Sequence, residues 1–379
     1  MQLSEKILNY IDAHREEALQ LLITLAKIPA PSGHEEKRAA FCKQWLDAQG
    51  AEGVYIDEAL NVIYPVGCTQ DNPLIVFAAH TDVVFPDTEE LPMTITDNEI
   101  HCPGVGDDTA NLVALLMTAK YIAENKLTPK GFGMLIVANA AEEGLGNLKG
   151  SRQLMKDYGS RVTQFVSFDC CGPRHIYAGA VGSKRYRIEI DTEGGHSFGA
   201  FGNRNAIAYL SSLIADLYTI KVPAEGKTTY NVGTISGGTS VNTIAQHAEM
   251  LYEIRSDNEQ SLATMQAHLE AALAFYSTKG VKVTCTLVGD RPCSSAVDPQ
   301  AHQKLLDRLT EVVEKHYGVT PVPVNGSTDC NIPLSMGIPS GCVGCLIGRG
   351  AHTREEFLYI DSLLPGLRLA FDLVLGYMD

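Results

Sequence analysis

The chain is 379 residues long, 45% hydrophobic and 20% charged, which excludes a mainly disordered protein and gives room for two or three cores at about 150 residues each. Its 45 acidic residues against 30 Lys and Arg leave a formal charge of −15, so a nucleic-acid backbone or an anionic membrane is repelled over most of the surface and neither is expected as a partner. The apolar runs Leu74–Ala79 and Met134–Ala138 fall far short of the roughly 20 residues of a membrane span, and the 10 cysteines are scattered behind no secretion signal, so reduced thiols and a cytoplasmic protein are expected.

In chain order, residues 3–28 and 35–49 have helical periodicity and are joined by Ile28-Pro29-Ala30-Pro31-Ser32-Gly33. Short buried strands follow at Val54–Ile56, Val62–Val66 and Leu74–Ala79. A long helix is predicted over Thr109–Asn125, a strand over Met134–Asn139, a helix near Leu148–Asp157 and a strand over Gln164–Phe168. Apolar strands alternating with helices predict an α/β fold with a mostly parallel sheet sandwiched by helices. The style changes at Lys184–Asp191, which alternates polar and apolar. Two more such strands are expected between about Asn231 and Arg255, with helices at Asn205–Leu217 and Glu259–Tyr276. Helix Pro299–Tyr317, strand Cys342–Ile347 and helix Asp361–Gly376 then resume the first pattern. The expected organisation is a large domain over 1–180 and 292–379, interrupted by a small α+β domain over 181–291. Cys342 and Cys345 form a C-x-x-C, which in so apolar a stretch reads as core packing before it reads as a redox or metal motif.

The informative residues stand at the carboxyl ends of the strands, where α/β sheets place their sites. Leu74–Ala79 runs into His80-Thr81-Asp82, Met134–Asn139 into Glu142-Glu143, Gln164–Phe168 into Asp169, and Cys342–Ile347, after Arg349-Gly350, into His352. Asp107 comes from the Gly-rich turn that opens the long helix. Two imidazoles and three carboxylates are a donor mix for two divalent metal ions, zinc first and cobalt or manganese as alternatives, with one carboxylate shared and room left for water. Glu142, beside the ligand Glu143, is placed to act as general base and then acid. Asp82, two residues after His80, is placed to accept its second ring N–H. Singly, these motifs have plainer explanations, such as an acidic first turn for Glu142-Glu143 or an N-cap for Asp107-Asp108; their coincidence in one order favours the metal site.

These segments, with Gly195-His196-Ser197 and Gly350-Ala351-His352-Thr353, resemble the co-catalytic di-zinc exopeptidases and deacylases over nearly the whole chain. That family includes peptidase T, carboxypeptidase G, aminoacylase, acetylornithine deacetylase and succinyl-diaminopimelate desuccinylase. The segment Ser32-Gly33-His34-Glu35 and Asp329 also match family positions. The resemblance implies that Asp107 bridges the metals, that His80 and Asp169 complete one site, and that Glu143 and His352 complete the other. It implies an inserted lid or dimerisation domain, hence a homodimer, and a His196 that stabilises the oxyanion in its own or the neighbouring subunit's site. Asn242 and Arg255 look like contacts for a substrate carboxylate, Arg255 being equally readable as a surface ion pair. Three departures stand out: Thr109-Ala110 where many members carry Lys-Gly; Asp169 where carboxypeptidases and aminoacylases have Glu, which points to the dipeptidase and tripeptidase branch; and the segment Asn325-Gly326-Ser327-Thr328-Asp329-Cys330, which lacks the arginine of a typical peptidase T at its start. The expected activity is hydrolysis of an amide bond in short peptides, with N-acyl amino-acid deacylation as the alternative.

Overall fold

The run Leu74–Ala79 becomes the strand Leu74–His80, buried at every residue. Successive side chains of a strand point to opposite faces, and here Ile75, Phe77 and Ala79 enter one core while Leu74, Val76 and Ala78 enter another. Helices must therefore cover both faces of the sheet. The computed structural model, which describes residues 3–378, has an eight-stranded sheet in the order Tyr55–Ile56, Val62–Val66, Gly133–Asn139, Leu74–His80, Val162–Phe168, Ser340–Val343, His175–Ala180, Val322–Gly326. Its central pairings, Leu74–His80 with Gly133–Asn139 and with Val162–Phe168, are parallel, as is Val162–Phe168 with Ser340–Val343. Helices Ala110–Asn125 and Leu363–Leu375 belong to the core on one face, and Lys149–Tyr158 to the core on the other.

The chain divides into two units, Met1–Ala180 with Ser295–Asp379, and Val181–Ser294. The second is built on a four-stranded antiparallel sheet in the order Thr228–Gly237, His247–Ser256, Gly182–Asp191, Lys282–Arg291. Strand His247–Ser256 alternates strictly between buried residues and exposed or half-exposed ones, and Ala206–Leu217 and Glu259–Ser277 supply the helical side of its core. Lys282–Arg291 carries no such alternation and was not anticipated.

Three expectations are corrected. The helix over 3–28 is two helices, Glu5–Ala13 and Arg15–Lys27. They break at His14, whose ring stacks on Tyr10 with centroids 3.9 Å apart and whose Nδ1 lies 2.8 Å from the Tyr10 carbonyl. The strand expected over 342–347 ends at Val343. Beyond it Gly344 passes so close to the chain that a Cβ would lie 2.4 Å from the Cys170 carbonyl, and the Cys345 N–H is taken by Asn111 Oδ1 at 2.7 Å instead of by a ladder. Strands His175–Ala180 and Val322–Gly326 were also missed. Cys342 and Cys345 are buried free thiols whose pKa values burial pushes up. Among the described residues no helix is long and apolar enough to cross a membrane.

Two stability outcomes follow. Phe77 is fully buried and its ring meets those of Phe168 and Tyr377 at 5.9 and 5.7 Å, so Phe77→Ala should lower the unfolding free energy by about 3–5 kcal/mol in urea titrations. Buried Asp372 receives Lys315 Nζ at 2.5 Å and His316 Nε2 at 2.9 Å. Burial raises its pKa, but the hydrogen bonds from His316 and Lys315 outweigh it and hold the carboxyl below its ordinary value. A depressed carboxylate stabilises the fold above the unfolded pKa of about 3.9, and that contribution disappears as pH falls through the folded value. The melting-temperature gap between wild type and Asp372→Asn should therefore be fully open above the unfolded pKa of about 3.9 and narrow as pH falls below it.

Candidate active site

His80 ends its strand with Nε2 facing Asp107 Oδ1 at 3.2 Å and Asp169 Oδ1 at 3.8 Å. His352 aims Nε2 at the other oxygen of the same carboxylate, Asp107 Oδ2 at 3.2 Å, and at Glu143 Oε1 at 3.0 Å. Asp107 thus stands between two donor sets, one with His80 and Asp169, the other with His352 and Glu143. Ligand atoms at about 2.0–2.2 Å around one four-coordinate ion lie about 3.3–3.6 Å apart. The observed spacings of 3.0–3.8 Å bracket that range, and the mix of imidazole and carboxylate suits a divalent cation in each set. Glu142 belongs to the same neighbourhood: one of its carboxylate oxygens lies within 4.8 Å of donor atoms of both His80 and Glu143. It is 4% exposed.

The surroundings set the electrostatics. Burial works against charging His80, yet Asp108, Asp107, Asp169 and Asp82 together raise its pKa well above the ordinary value. His352 is pushed up to about 11 by Asp107 and Glu143. Burial raises Asp107, but His352 and His80 overcome it and hold that carboxyl low. Opposite charges so close favour each other's ionised forms.

Each donor is held from behind. His80 Nδ1 lies 3.0 Å from the Asp82 carbonyl and 3.4 Å from its carboxylate, so the backbone oxygen, more than the side chain, holds the ring. The Asp82 carboxylate serves elsewhere: it accepts the N–H groups of Glu142 and Glu143 at 3.0 and 2.9 Å and the Ser32 hydroxyl at 2.6 Å. Glu35, fully buried, accepts the Ala141 N–H at 3.0 Å and the Gly33 N–H at 2.7 Å. These two acids fix an elbow at Ala141, whose φ of 57° is uncommon outside glycine. Asp108 turns inward to accept the His80 N–H at 2.8 Å and the Asn111 amide at 2.6 Å. Thr109 closes the turn by donating to the Gly104 carbonyl at 2.6 Å and receives buried Arg38 at 3.2 Å.

Glu356 was not anticipated. It is 1% exposed and accepts the N–H groups of Gly104, Gly106 and Asp107, each at 2.8 Å. Burial pushes its carboxyl up to about 7 despite those three bonds. No sequence signal marks a glutamate whose partners are all backbone. His352 also differs from expectation: it lies in the loop between Gly348–Arg349 and Phe357–Tyr359 of a separate small sheet, not at the end of a main-sheet strand. Arg354 clamps that loop by a two-bond contact to Asp87, at 3.0 and 2.6 Å, over the Phe85 ring. Asp329 is buried but outside both donor sets, accepting from Ser151 at 2.6 Å and from Asn139.

The remaining candidates belong to the second unit. His196, exposed, accepts the N–H groups of Phe198 and Gly199 on Nδ1 at 3.3 and 3.2 Å, which puts the proton of the neutral ring on Nε2. It pairs in register with Thr243, next to Asn242. Arg255 forks onto Glu253 at 2.7 and 3.2 Å, the ion-pair reading.

Residues 76–376 match the model of the peptidase family M20/M25/M40. An N-acetyldiaminopimelate deacetylase of Bacillus pumilus is 23% identical over 370 residues, 93% of this chain and 88% of the relative. A tripeptidase structure from Staphylococcus aureus superposes with a TM-score of 0.75 at 22% identity, covering 96% of this chain and 98% of that one. A metallo-carboxypeptidase structure from Sulfolobus solfataricus does so with a TM-score of 0.76 at 16% identity, covering 95% and 99%; at such identities the likeness is one of fold.

The role of Glu356 has a direct test. Glu356→Ala frees three N–H groups behind Asp107 and should weaken metal retention by about 10–100-fold in chelator competition, Glu356→Gln by less.

Proposed function

The chain belongs to the peptidase family M20/M25/M40 and is a hydrolase, and from that membership we propose that it is a di- or tripeptidase-like exopeptidase with two bound divalent ions, zinc in the first instance. The observation that carries this reading is the shared carboxylate of Asp107, one oxygen toward each imidazole, with Glu142 within 4.8 Å of donor atoms of His80 and Glu143. Ions held by His80, Asp107 and Asp169 and by His352, Asp107 and Glu143 would supply Lewis acidity toward a carbonyl and an acidified water. Glu142 takes the proton from that water on its carboxylate as the water oxygen bonds to the carbonyl carbon, and returns it to the leaving nitrogen as the C–N bond breaks. Asp82 and Glu35 act as positioning residues by keeping the elbow of Glu142 rigid. His196 donates from Nε2 to the oxygen of the tetrahedral intermediate, and Asn242 beside it contacts the substrate. Arg255 is assigned to Glu253 rather than to substrate. The working enzyme is proposed to be a cytoplasmic homodimer joined through the inserted unit.

A second reading, N-acyl amino-acid deacylation, is favoured by the deacetylase relative over 93% of the chain. The two differ in which end of the substrate bears the recognised charge. A panel of short peptides and N-acyl amino acids, assayed with metal removed and restored, separates them. Up to two ions per chain are expected, with turnover lost in chelator and recovered on addition. Glu142→Gln should retain metal while kcat falls about 10²–10⁴-fold; undiminished kcat in that variant removes Glu142 from the mechanism. His196→Ala should cost about 10²–10³-fold in kcat, with the loss shared little by KM.

A further inference from the structure

A second concavity of about 500 Å³ lies in the first unit, apart from the donor cluster. Two chain segments that leave the cluster build its wall: the one that follows Asp169, through Arg174 and His175, and the one that leads to His352, through Ile347 and Arg349. Tyr317 and Val319 complete it. Arg174 and Arg349 are exposed, and among the described residues neither guanidinium has an ion pair or a side-chain hydrogen bond. Among the described residues no acidic one lines the cavity. By contrast Arg354, nearby in sequence, is matched to Asp87 by two bonds.

In a chain of formal charge −15, two unmatched guanidinium groups at one cavity are a local reversal of sign. An anion held in the cavity would be attracted by both. The planar fork of arginine fits carboxylate or phosphate oxygens in pairs. The rest of the wall is different in kind: Val319, Ile347 and the Tyr317 ring present hydrocarbon, and the ring is held by its hydroxyl donating to the Cys345 carbonyl at 2.5 Å. The volume lies in the range of small-molecule sites. We propose that this cavity binds a small organic anion, a carboxylate or phosphate carried on an apolar body, with Arg174 and Arg349 on the charge and Tyr317, Val319 and Ile347 on the body. The site shares a wall with the donor cluster: Cys171 packs so closely on Gly106 that a Cβ there would come within 2.8 Å of its sulfur. The anion is either the charged end of the substrate, which rests on the peptidase or deacylase reading, or a separate molecule.

Calorimetric titration of the protein as purified, with benzoate, phenyl phosphate and neutral benzyl alcohol as probes, tests the site without any assay of turnover. Both anions should bind, benzyl alcohol should not, and R174A/R349A should lower anion affinity about tenfold or more. Both side chains are exposed, so the double variant should fold as wild type. Equal affinity in wild type and double variant, as when the probes sit on the metal ions, or equal binding of benzyl alcohol, overturns the proposal. Kinetics then identify the source. A KM that rises in the double variant for a peptide with a free carboxylate, but not for its amide, assigns the cavity to substrate. Unchanged KM for both, with benzoate altering wild-type turnover, assigns it to a separate anion.

Discussion

One carboxylate with an imidazole at each of its oxygens is the constraint around which the site is built. Asp169 and Glu143 each bring a carboxylate oxygen within 4.8 Å of Asp107, a grouping of acids that burial makes costly unless positive charge accompanies it. His80 and His352 answer part of that demand by taking protons more readily, and a cation in each donor set answers it more fully. The same crowding explains why so many neighbouring groups are anchors. A shift of the turn at Asp107 would break the sharing, and Glu356 opposes such a shift by collecting three N–H groups from the turn at once.

The fold supplies this precision by letting rigid elements end at one rim. Strands Leu74–His80, Gly133–Asn139 and Val162–Phe168 lie side by side and parallel, so His80, the elbow before Glu142 and Asp169 leave the sheet together. What the strands cannot provide, buried acids do. Asp82 and Asp108 each spend both carboxylate oxygens on groups that belong to other donors or their supports. These acids are structural in contact and functional in consequence, since the direction of a side chain follows from the peptide that carries it.

This explains what the sequence could and could not reveal. His80, Glu142, Glu143 and Asp169 were legible because each follows an apolar run whose end is easily read, and Asp107 because glycines surround it. His352 was legible as a residue but not as a place: the run Cys342–Ile347 looks continuous, whereas Gly344 must pass against Cys170 and the strand stops at Val343. Glu356 and the anchoring bonds of Glu35 were invisible for another reason. An acceptor serving backbone N–H groups has no partner residue type, so Glu355-Glu356 reads like any polar surface pair. Edge strands such as Val322–Gly326, wet on most of their residues, offer no apolar period to detect.

Donors that activate water are shared by peptidases and deacylases alike, so the choice among substrates has to reside in groups outside the donor sets. The distribution of charge narrows the search. In the first unit Arg354 is matched to Asp87 and Arg38 to carbonyl and hydroxyl oxygens; in the second unit Arg255 is matched to Glu253. A matched cation that must first surrender its partner discriminates poorly, because the gain with the new anion is offset by the loss of the old one. Among the described residues Arg174 and Arg349 have no such partner to surrender, and they stand beside hydrocarbon that can weigh the rest of a molecule. Recognition by charge at that cavity and chemistry at Asp107 are thereby separable, and change in the one need not disturb the donors on which the other depends.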